Sequence, residues 1–394
     1  MSRTTNKQEG REVFLMEQEV VSTHQPSVTA AVQDLCAKLK RNVDSYQAVI
    51  FMAAITYDFS ELSRAIKERF PGSEVLGTST AGEISPDGFT EDGIVLTTMY
   101  SPESHVAGAM VENGSTYPVS GAADLRAALQ RCGIRCKDPS SGKNAFAITF
   151  INGVFNAEES ILSTFYSVIQ NDAFPLAGGT AGYTGDTPRT FISYNGKVTQ
   201  DGAVFLFVRT NCPFDIRQED IFQSTGKSFF VTEANPVERT LTRLNGRPAQ
   251  TVYAEMLGVT ESKAAQMTFE NPFGRYLDGE LRIAALAGFT PDKKISLFAR
   301  VVPNSTLELM HIGDPLKKAD ETCSGIRAAV VRPKFTLLMT CITRTLAFAR
   351  MGISRSIISK YADTFPTFCG FSCYGEQIGR IHCNQTLVTV TIGE

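Results

Sequence analysis

Three glycine-rich stretches contain most of the side chains in this sequence that could do chemistry. They read VLGTSTAGE (75–83), PLAGGTAGY (175–183) and FCGFSCYGE (368–376). Glycine lets a ligand approach the backbone without a Cβ in the way, and successive amides and hydroxyls can bind a carboxylate or a phosphate. The glutamates that end two of the stretches could pair with a cationic ligand group. The candidate ligand-binding residues are therefore Gly77, Ser79, Gly82, Glu83, Gly179, Thr180, Gly370, Ser372, Gly375 and Glu376.

A purely structural interpretation of these stretches stays open beside the ligand-binding one. Glycine turns between strands are common, and Ser and Thr side chains often bond only to the nearby backbone. The two interpretations differ in what the stretches face. Loops at equivalent strand ends can converge on a ligand crevice, whereas isolated turns only reverse the chain.

Catalytic motifs are poorly represented in the same stretches. Gly77-x-Ser79-x-x-Gly82 is one residue too long for a nucleophile elbow, which needs G-x-S-x-G. Residues 178–182 fit G-x-T-x-G, with Thr180 at the nucleophile position. The sequence has no Walker A loop and no GxGxxG motif. We therefore expect no enzymatic activity, and a hydrolase that uses Thr180 or Ser79 is kept as an alternative.

The nine cysteines are expected to be reduced thiols. Their number is odd, and no secretory signal precedes them. Cys132 and Cys136 form a CxxxC pair, as do Cys369 and Cys373, but neither pair has the CxxC spacing of zinc sites. We interpret them as small buried apolar residues rather than metal ligands.

The elements around the glycine-rich stretches follow one plan, which predicts an α/β fold with mixed sheets. Before each stretch come a buried-strand run and an amphipathic helix, and a further strand follows it. The helices are predicted over 60–70, 157–170 and 354–365, the first and third of them capped by serine. The preceding strands lie at 48–54, 145–151 and within 334–348, and the following strands at 93–100, 202–210 and 386–393.

The region between the second and third repeats differs from them. Asn-Gly in RLNGRP (243–248) and Asp-Gly in YLDGEL (276–281) are strong hairpin signals, and ISYNGKVTQDG (192–202) carries another. Adjacent strands are also predicted at 295–302 and 305–312. The expected organisation is a polar N-terminal tail (1–19), a first domain (20–212), a linker (213–235) and a second domain (236–394).

Composition argues against two classes of partner. The net charge of −3 comes from well-mixed signs without a basic cluster, so no nucleic-acid partner is expected. No apolar run approaches the roughly 18 residues that span a bilayer, so no membrane insertion is expected. Since the N-terminus also lacks a signal peptide pattern, the sequence predicts a cytoplasmic protein.

Several of these motifs together resemble the FIST domain family. VIFMAA, VLGTSTAGEISPDG, GIVLTTM, PLAGGTAG and DGAVFLFV are similar to its N-terminal part. NPFGRYLDGELRI, the Cys341-x-x-Arg344 pair, FCGFSCYGEQIG and HCNQTLVTVTI are similar to its C-terminal part. The resemblance covers roughly residues 20–394 in family order, and it implies a two-part architecture.

The resemblance implies an intracellular sensor that binds a small ligand. The family includes a bacterial group of stand-alone members that resembles this chain closely in layout; those members bind haem, sense nitric oxide and regulate a partner histidine kinase. This implies non-covalent haem b as a cofactor, and it leaves a homodimer open. The alternative is a haem-free sensor of an amino acid or another small anionic metabolite.

Haem would need an axial ligand, and the resemblance leaves two histidines as candidates, His311 and His382. His311 lies late in a predicted strand, where an imidazole could face an apolar pocket. His382 lies in IHCNQT, a family-like position where the histidine could instead make a structural hydrogen bond in a loop or at the start of a strand. Should neither ligate, His24, His105, a tyrosine or a cysteine would have to do so; Cys212-Pro213 is a weak candidate of that kind. Covalent c-type attachment is excluded because no CxxCH motif occurs.

Overall fold

The computed structural model describes residues 15–186, 188–277 and 279–394, and also the backbone of two short paired strands, β1 (Lys7–Gln8) and β2 (Arg11–Glu12). Most of the predicted polar tail, up to residue 14, otherwise lies outside the described residues. The end of that tail is part of the fold, because a strand begins at Glu17 and pairs along its whole length.

The first two repeats share one order of elements: strand, helix, strand, helix, strand, hairpin and strand. The first repeat contains β3 (Glu17–Thr23), α1 (Val28–Lys38), β4 (Ala48–Ala53), α2 (Phe59–Arg69), β5 (Glu74–Ser79), β6 (Glu83–Ser85), β7 (Gly88–Thr90) and β8 (Ile94–Tyr100). The second contains β9 (His105–Glu112), α3 (Ala122–Arg131), β10 (Ala145–Ile151), α4 (Glu158–Ile169), β11 (Leu176–Thr180), β12 (Ile192–Tyr194), β13 (Lys197–Thr199) and β14 (Gly202–Arg209).

The third repeat follows the same order except that it has two helices instead of one before its last parallel strand, and it is interrupted after its first strand, β15 (Phe214–Asp220). The inserted elements are β16 (Phe222–Asn235), β17 (Thr240–Leu244), β18 (Arg247–Pro248), α5 (Ala249–Leu257), α6 (Glu261–Ala264), β19 (Phe273–Leu277), β20 (Glu280–Ala284), β21 (Leu286–Phe289), β22 (Ile295–Leu297) and β23 (Thr306–Ile312). The repeat then resumes with α7 (Pro315–Ala329), β24 (Pro333–Cys341), α8 (Ile342–Met351), α9 (Ser354–Thr364), β25 (Cys369–Cys373), β26 (Glu376–Ile378), β27 (Ile381–Cys383) and β28 (Thr386–Gly393).

Each repeat builds most of one six-stranded mixed sheet. In the first sheet β4 pairs with β5 in parallel and with β8 antiparallel, and β3 forms the edge beside β8. The second sheet has the order β9-β14-β10-β11 and the third has β15-β28-β24-β25, with the same pattern of directions. The predicted α/β class with mixed sheets is therefore confirmed.

The hairpins that complete the three sheets are exchanged between repeats in a cycle. β12 of the second repeat pairs with β5 of the first, and β26 of the third pairs with β11 of the second. β6 of the first repeat closes the cycle by pairing with β25 of the third. We call this arrangement the hairpin exchange. Because of it, each of the two predicted domains contributes strands to a sheet of the other.

Both faces of the three sheets are buried, which explains the continuous apolar strand runs. In β4, Ile50 and Met52 point into a central core shared by the three sheets. The alternate residues Val49 and Phe51 point outward and pack under α1 and α2. Since successive side chains of a strand point to opposite faces, a strand covered on both sides needs an unbroken apolar sequence. The same division occurs in β10.

The insertion forms an antiparallel sheet with a core of its own. Its strand order is β20-β19-β23-β16-β17-β22-β21, with β18 on β17. The predicted hairpins at 192–202, 243–248 and 276–281 are all present. The segment 213–235, expected to be a linker, instead forms β15, which pairs with β28, and β16, which pairs with β23 and β17. Only 295–297 of the strand expected at 295–302 is regular.

Helices α2 and α9 are not capped by the predicted serines. The cap of α2 is Asp58, whose carboxylate accepts the amide of Glu61 at 2.9 Å, so the helix begins just before the expected Ser60. Residue Ile353 precedes α9 and gives no side-chain cap. The long apolar run 334–348 contains both a strand and the start of α8, because such runs suit buried strands and helices alike.

Candidate ligand-binding site

The three glycine-rich stretches meet one another in the interior of the molecule. Each contains a parallel strand of its repeat (β5, β11 or β25) and the turn that follows it, and the hairpin exchange brings the three strand ends together. Their backbones are joined in a closed ring, which we call the loop ring. Its hydrogen bonds run from the amide of Ala81 to the carbonyl of Ser372 (2.9 Å), from Gly182 to Ser79 (3.0 Å) and from Thr180 to Gly375 (2.8 Å).

The hydroxyls of the loop ring are already engaged by the protein. Ser79 Oγ donates to the carbonyl of Gly182 at 2.7 Å and accepts the amide of Phe191 at 3.0 Å. Thr180 Oγ1 accepts from the Gln377 amide at 2.7 Å. Ser79, Thr180 and Ser372 are fully buried. In this arrangement these side chains hold the three repeats to each other, and a ligand role for them stays a prediction.

The glycines of the loop ring give room to neighbouring side chains. Gly82 has φ +131° and Gly375 has φ +147°, a region that residues with a side chain rarely adopt. A Cβ on Gly82 would overlap the Phe89 ring, and one on Gly375 would overlap the His382 ring. The close approach predicted for a ligand at these positions is therefore made by the protein itself. Overlaps with protein atoms also exist at Gly77, Gly179 and Gly370.

The two glutamates of the ring are buried acids with internal partners. Glu83 accepts hydrogen bonds from the hydroxyls of Thr80 and Thr90, and burial raises its pKa to about 7. Glu376 accepts from the amide of Thr386 at 3.1 Å and from the Cys373 thiol at 3.1 Å, and burial raises its pKa to about 8. Glu376 is therefore mostly protonated at neutral pH, and both acids act as hydrogen-bonding groups between strands.

A separate apolar cavity of about 210 Å³ lies beside the loop ring, and we call it the Arg344 cavity. Helices α8 and α9 form one side, strands β24 and β28 the floor, and the β6–β7 hairpin the remaining wall. The apolar side chains that line it include Ile84, Phe89, Leu338, Phe348, Ile357 and Leu387. Exposed residues Glu91, Leu346 and Ala349 line the same cavity and form its mouth.

The cavity wall contains one buried guanidinium with an unused donor. Arg344 is 2% exposed, forms an ion pair with Glu219 and donates from Nη1 to the hydroxyl of Thr340 at 3.3 Å. The Tyr361 hydroxyl bonds to the same glutamate at 3.2 Å, and the ring of Phe348 lies 4.6 Å from the guanidinium carbon. Within the described part of the chain, Arg344 Nε has no hydrogen-bond partner. Nε is itself fully buried, so a ligand in the cavity would contact the surrounding apolar side chains and not this atom.

The motif Cys341-x-x-Arg344 contributes to the family resemblance, but it does not predict that Arg344 lines a cavity. Its ion-pair partner Glu219 is 125 positions away, in a segment expected to be a linker. No local motif connects the two residues. Only the pairing of β15 with β28, which sets Glu219 opposite Leu387, brings the carboxylate to the cavity.

The two candidate haem ligands occupy very different surroundings. His382 is 2% exposed, with Nδ1 3.1 Å from the Gln377 amide nitrogen and Nε2 3.5 Å from that of Asn384. Burial lowers its pKa, so the ring is neutral at pH 7. Its ring packs against Gly375. Axial ligation by His382 would require this packing to open.

His311 lines an open cleft of about 340 Å³ between β23 and α8. Its Nδ1 is 3.0 Å from the carbonyl of Ile312, which fixes the ring and leaves Nε2 as the free nitrogen. Metal-binding histidines commonly donate their other ring nitrogen to a carbonyl in this way. Apolar residues Phe269 and Met351 and the cation Arg350 also line the cleft. The cleft therefore offers a histidine nitrogen for an axial position and a cation for a propionate, with the carboxylate of Glu270 also in its lining.

A buried charge cluster joins the insertion to the second repeat, and no motif predicted it. Arg239 is 3% exposed and donates to Glu158 and Glu159, at 2.6 Å each. Asn156 accepts from the same guanidinium at 2.8 Å. His382 Nε2 is 3.8 Å from Glu158, so the cluster also touches the third repeat.

The cysteines of the described residues form no further site. All nine thiols are unpaired, seven of them buried. Across residues 15–186, 188–277 and 279–394, no group of three or more His, Cys, Asp or Glu side chains could hold a metal ion. No helix in the same part of the chain is long and apolar enough to cross a bilayer.

The fold is that of a two-part α/β protein built from three repeats, and comparison with known proteins identifies its family. Residues 47–247 match the FIST N domain and residues 249–379 match the FIST C domain. The chain belongs to the FIST family, whose domains are small-ligand-sensing modules of signal transduction.

Individual relatives are distant. An uncharacterized protein of Methanocaldococcus jannaschii is 27% identical over 226 residues, which is 56% of this chain and 42% of that protein. The chain thus spans less than half the length of this curated relative. Two solved structures of cyanuric acid hydrolase, one of them from A. caulinodans, cover 96% of this chain and 100% of their own at 8% identity. Their TM-scores of 0.38 and 0.33 are too low to support an argument.

Proposed function

We propose that this protein is a signal-transduction sensor whose small ligand binds in the Arg344 cavity. The observation that carries the proposal is an apolar cavity of about 210 Å³ that has the buried guanidinium of Arg344 in its wall. Small-molecule sites are typically apolar with a few polar groups that fix orientation. The Arg344 cavity has this character, whereas the loop ring is filled by its own side chains.

The position of the cavity suits a sensor. Ile84 and Phe89 come from the hairpin of the first repeat, which lies in the FIST N region, and α8 and α9 lie in the FIST C region. A ligand in the cavity would therefore contact both regions at once. Its binding free energy would favour whichever relative arrangement of the two regions makes the better contacts, as population shift requires.

A thermal-shift screen tests this proposal. The library contains amino acids, anionic metabolites and small neutral compounds, which covers the haem-free alternative. A binder at 100 times its Kd should stabilise the fold by about 2.7 kcal/mol and raise the midpoint. Leu346→Trp, at the cavity mouth, should remove the response. Val331→Trp is the matched control, because Val331 is 75% exposed and lies away from the cavity. An equal response in both variants would place the ligand elsewhere.

A haem-dependent nitric oxide sensor is the second candidate, and the geometry of His311 favours it. When bound, haem would supply an iron that binds the gas. The chain would contribute the Nε2 atom of His311 as axial ligand and the guanidinium of Arg350 as a partner for a propionate. The carbonyl of Ile312 would hold the imidazole ring in place.

Absorbance after haem reconstitution tests this candidate. A Soret band that shifts with nitric oxide is expected for the wild type and is expected to be lost in His311→Ala. His382→Ala measures the other candidate ligand, and His105→Ala, on the edge strand β9, is the control. No Soret band in the wild type contradicts the haem candidate. Regulation of a partner histidine kinase is proposed from the family resemblance alone. It is tested by mixing this protein with the kinase, where nitric oxide should change the rate of kinase autophosphorylation.

The hydrolase alternative gains nothing from the geometry. The hydroxyls of Ser79 and Thr180 are buried and hydrogen-bonded within the loop ring, and no described histidine contacts either of them. A nucleophile must reach its substrate and a base. A panel of ester substrates tests the alternative, which requires turnover that disappears in Ser79→Ala or Thr180→Ala.

A further inference from the structure

The buried polar side chains in the wall of the Arg344 cavity bond to the protein itself. Arg344 donates from Nη1 to the hydroxyl of Thr340 at 3.3 Å and from Nη2 to the carboxylate of Glu219, while its Nε is fully buried. The Tyr361 hydroxyl donates to the same carboxylate at 3.2 Å. The hydroxyl of Thr345 donates to the backbone carbonyl four residues earlier, at 3.3 Å. A ligand inside the cavity would therefore meet mainly apolar atoms.

The wall of the cavity also carries little net charge. Arg344 and Glu219 form a buried ion pair, so each charge is compensated by the other. Of the described residues in the lining, Glu91 is the other charged one, an exposed carboxylate at the mouth. A carboxylate or an ammonium group on a ligand would enter the cavity as an uncompensated charge, and burying such a charge is strongly unfavourable. Glu91 would also repel an anion at the entrance.

The volume and the apolar lining suit a small hydrocarbon-like group. An apolar cavity of about 150 Å³ is known to hold benzene, and at about 210 Å³ the Arg344 cavity has room for such a ring and a few further atoms. Its apolar surface comes from several elements, with Phe89 on the β6–β7 hairpin, Phe348 on α8, Ile357 on α9 and Leu338 on β24. A compact apolar ligand would contact all of these elements, and its removal from water would drive binding.

We propose that the Arg344 cavity takes a compact, uncharged, hydrocarbon-like compound, such as a substituted benzene, in preference to an organic anion or cation. This inference rests on the proposed function and specifies its ligand class. In this arrangement the guanidinium of Arg344 does not recognise the ligand. Its pair with Glu219 joins α8 to β15 and keeps the wall neutral, and the apolar side chains of the lining recognise the ligand by its shape.

Three probes of similar size test the inference on the full-length chain by calorimetry at pH 7. Ethylbenzene is uncharged, benzoate is an anion, and benzylamine is a cation. Ethylbenzene is expected to bind at least about tenfold more tightly than either ion, because each ion would lose its hydration without gaining a partner. A benzoate or benzylamine affinity equal to that of ethylbenzene, or higher, would overturn the inference and leave the proposed function standing. If no probe binds and the wider screen is also silent, both fail.

Two neighbouring leucines of β24 test whether the apolar probe occupies this cavity. Leu338 lines the cavity, whereas Leu337 points into the central core on the other face of the sheet. Leu338→Ala enlarges the cavity, so n-butylbenzene should bind this variant about tenfold more tightly than the wild type, which is the gain expected from burying two more methylenes. Leu337→Ala deletes the same atoms on the other face and should leave the affinity unchanged.

The same gain in both leucine variants, or no gain in Leu338→Ala, would contradict an apolar ligand in the Arg344 cavity. Should Leu338→Ala not fold, Ile357→Val deletes a single methylene from the α9 side of the lining. The corresponding probe is then n-propylbenzene, which has one methylene more than ethylbenzene. It should bind Ile357→Val about fourfold more tightly than the wild type, and an unchanged affinity would contradict the inference.

Discussion

Two single residues, the buried acids Glu83 and Glu376 of the loop ring, make the stability of the fold depend on pH. In the unfolded chain a glutamate has a pKa near 4.5, whereas burial raises that of Glu83 to about 7 and that of Glu376 to about 8. The folded protein therefore binds more protons than the unfolded chain between these values. The resulting stabilisation is complete below about pH 4.5 and is lost as the pH rises through 7 and 8.

Replacing Glu83 with Gln should flatten this pH dependence. The amide keeps the hydrogen-bonding shape of the protonated acid and never ionises, so the loss of unfolding free energy between pH 5 and pH 8 should shrink by about 1–3 kcal/mol. Urea unfolding across that range measures it, with Glu68→Gln on the exposed face of α2 as the control. A slope equal to that of the wild type would show that Glu83 ionises in the fold without cost.

The Arg239 cluster should be more sensitive to substitution than any surface ion pair. Arg239→Met leaves Glu158 and Glu159 buried without their cation, and breaking a buried pair in this way costs about 3–5 kcal/mol. Adding Glu158→Gln should recover part of that loss, since it removes one uncompensated charge. Chemical denaturation of both variants gives the coupling. If the loss of unfolding free energy in the double variant equals the sum of the losses in the two single variants, Arg239 and Glu158 are not energetically coupled.

At the scale of elements, the β6–β7 hairpin depends on the conformation of the glycine that precedes it. Gly82→Ala should destabilise the protein by about 1–3 kcal/mol from backbone strain alone, with a further loss from overlap with Phe89. Combining it with Phe89→Ala should relieve the overlap but not the strain. Gly72→Ala is the control, because its Cβ would meet no atom within 4 Å. Thermal melts compare Gly82→Ala, the double variant and Gly72→Ala. Equal midpoints for Gly82→Ala and Gly72→Ala would contradict backbone strain at Gly82.

Much of the element pattern was predictable because it is local. The strand, helix, loop and strand of each repeat follow from short apolar runs and from glycine turns, and all three following strands occur where expected. The helix α8 was missed because the apolar run 334–348, which contains the start of this helix, suits a strand equally well. The partners of the hairpins could not be predicted, because a short edge strand does not specify which sheet it joins. For the same reason, the equivalence of the three loops was visible while their contact was not.

For the whole molecule, the hairpin exchange makes the two FIST regions interdependent. A fragment of residues 15–247 would leave the second sheet with an open edge at β11, which pairs with β26, and the β6–β7 hairpin without the sheet that it completes through β25. We expect this fragment to aggregate when produced alone and to become soluble when produced together with residues 248–394. Size-exclusion chromatography and circular dichroism report the outcome. A monomeric fragment with a cooperative melt of its own would contradict the prediction.

The same exchange bears on how the chain is made in a cell. The hairpin that begins at Glu83 finds its partner strand only after roughly 290 further residues have left the ribosome, which takes about 15–60 s at usual rates of synthesis. Throughout that interval the first repeat has an unpaired hairpin, and the apolar face that belongs in the central core lies open. Nascent chains of this protein should therefore depend on chaperones until the last repeat is synthesised, more than their length alone would suggest.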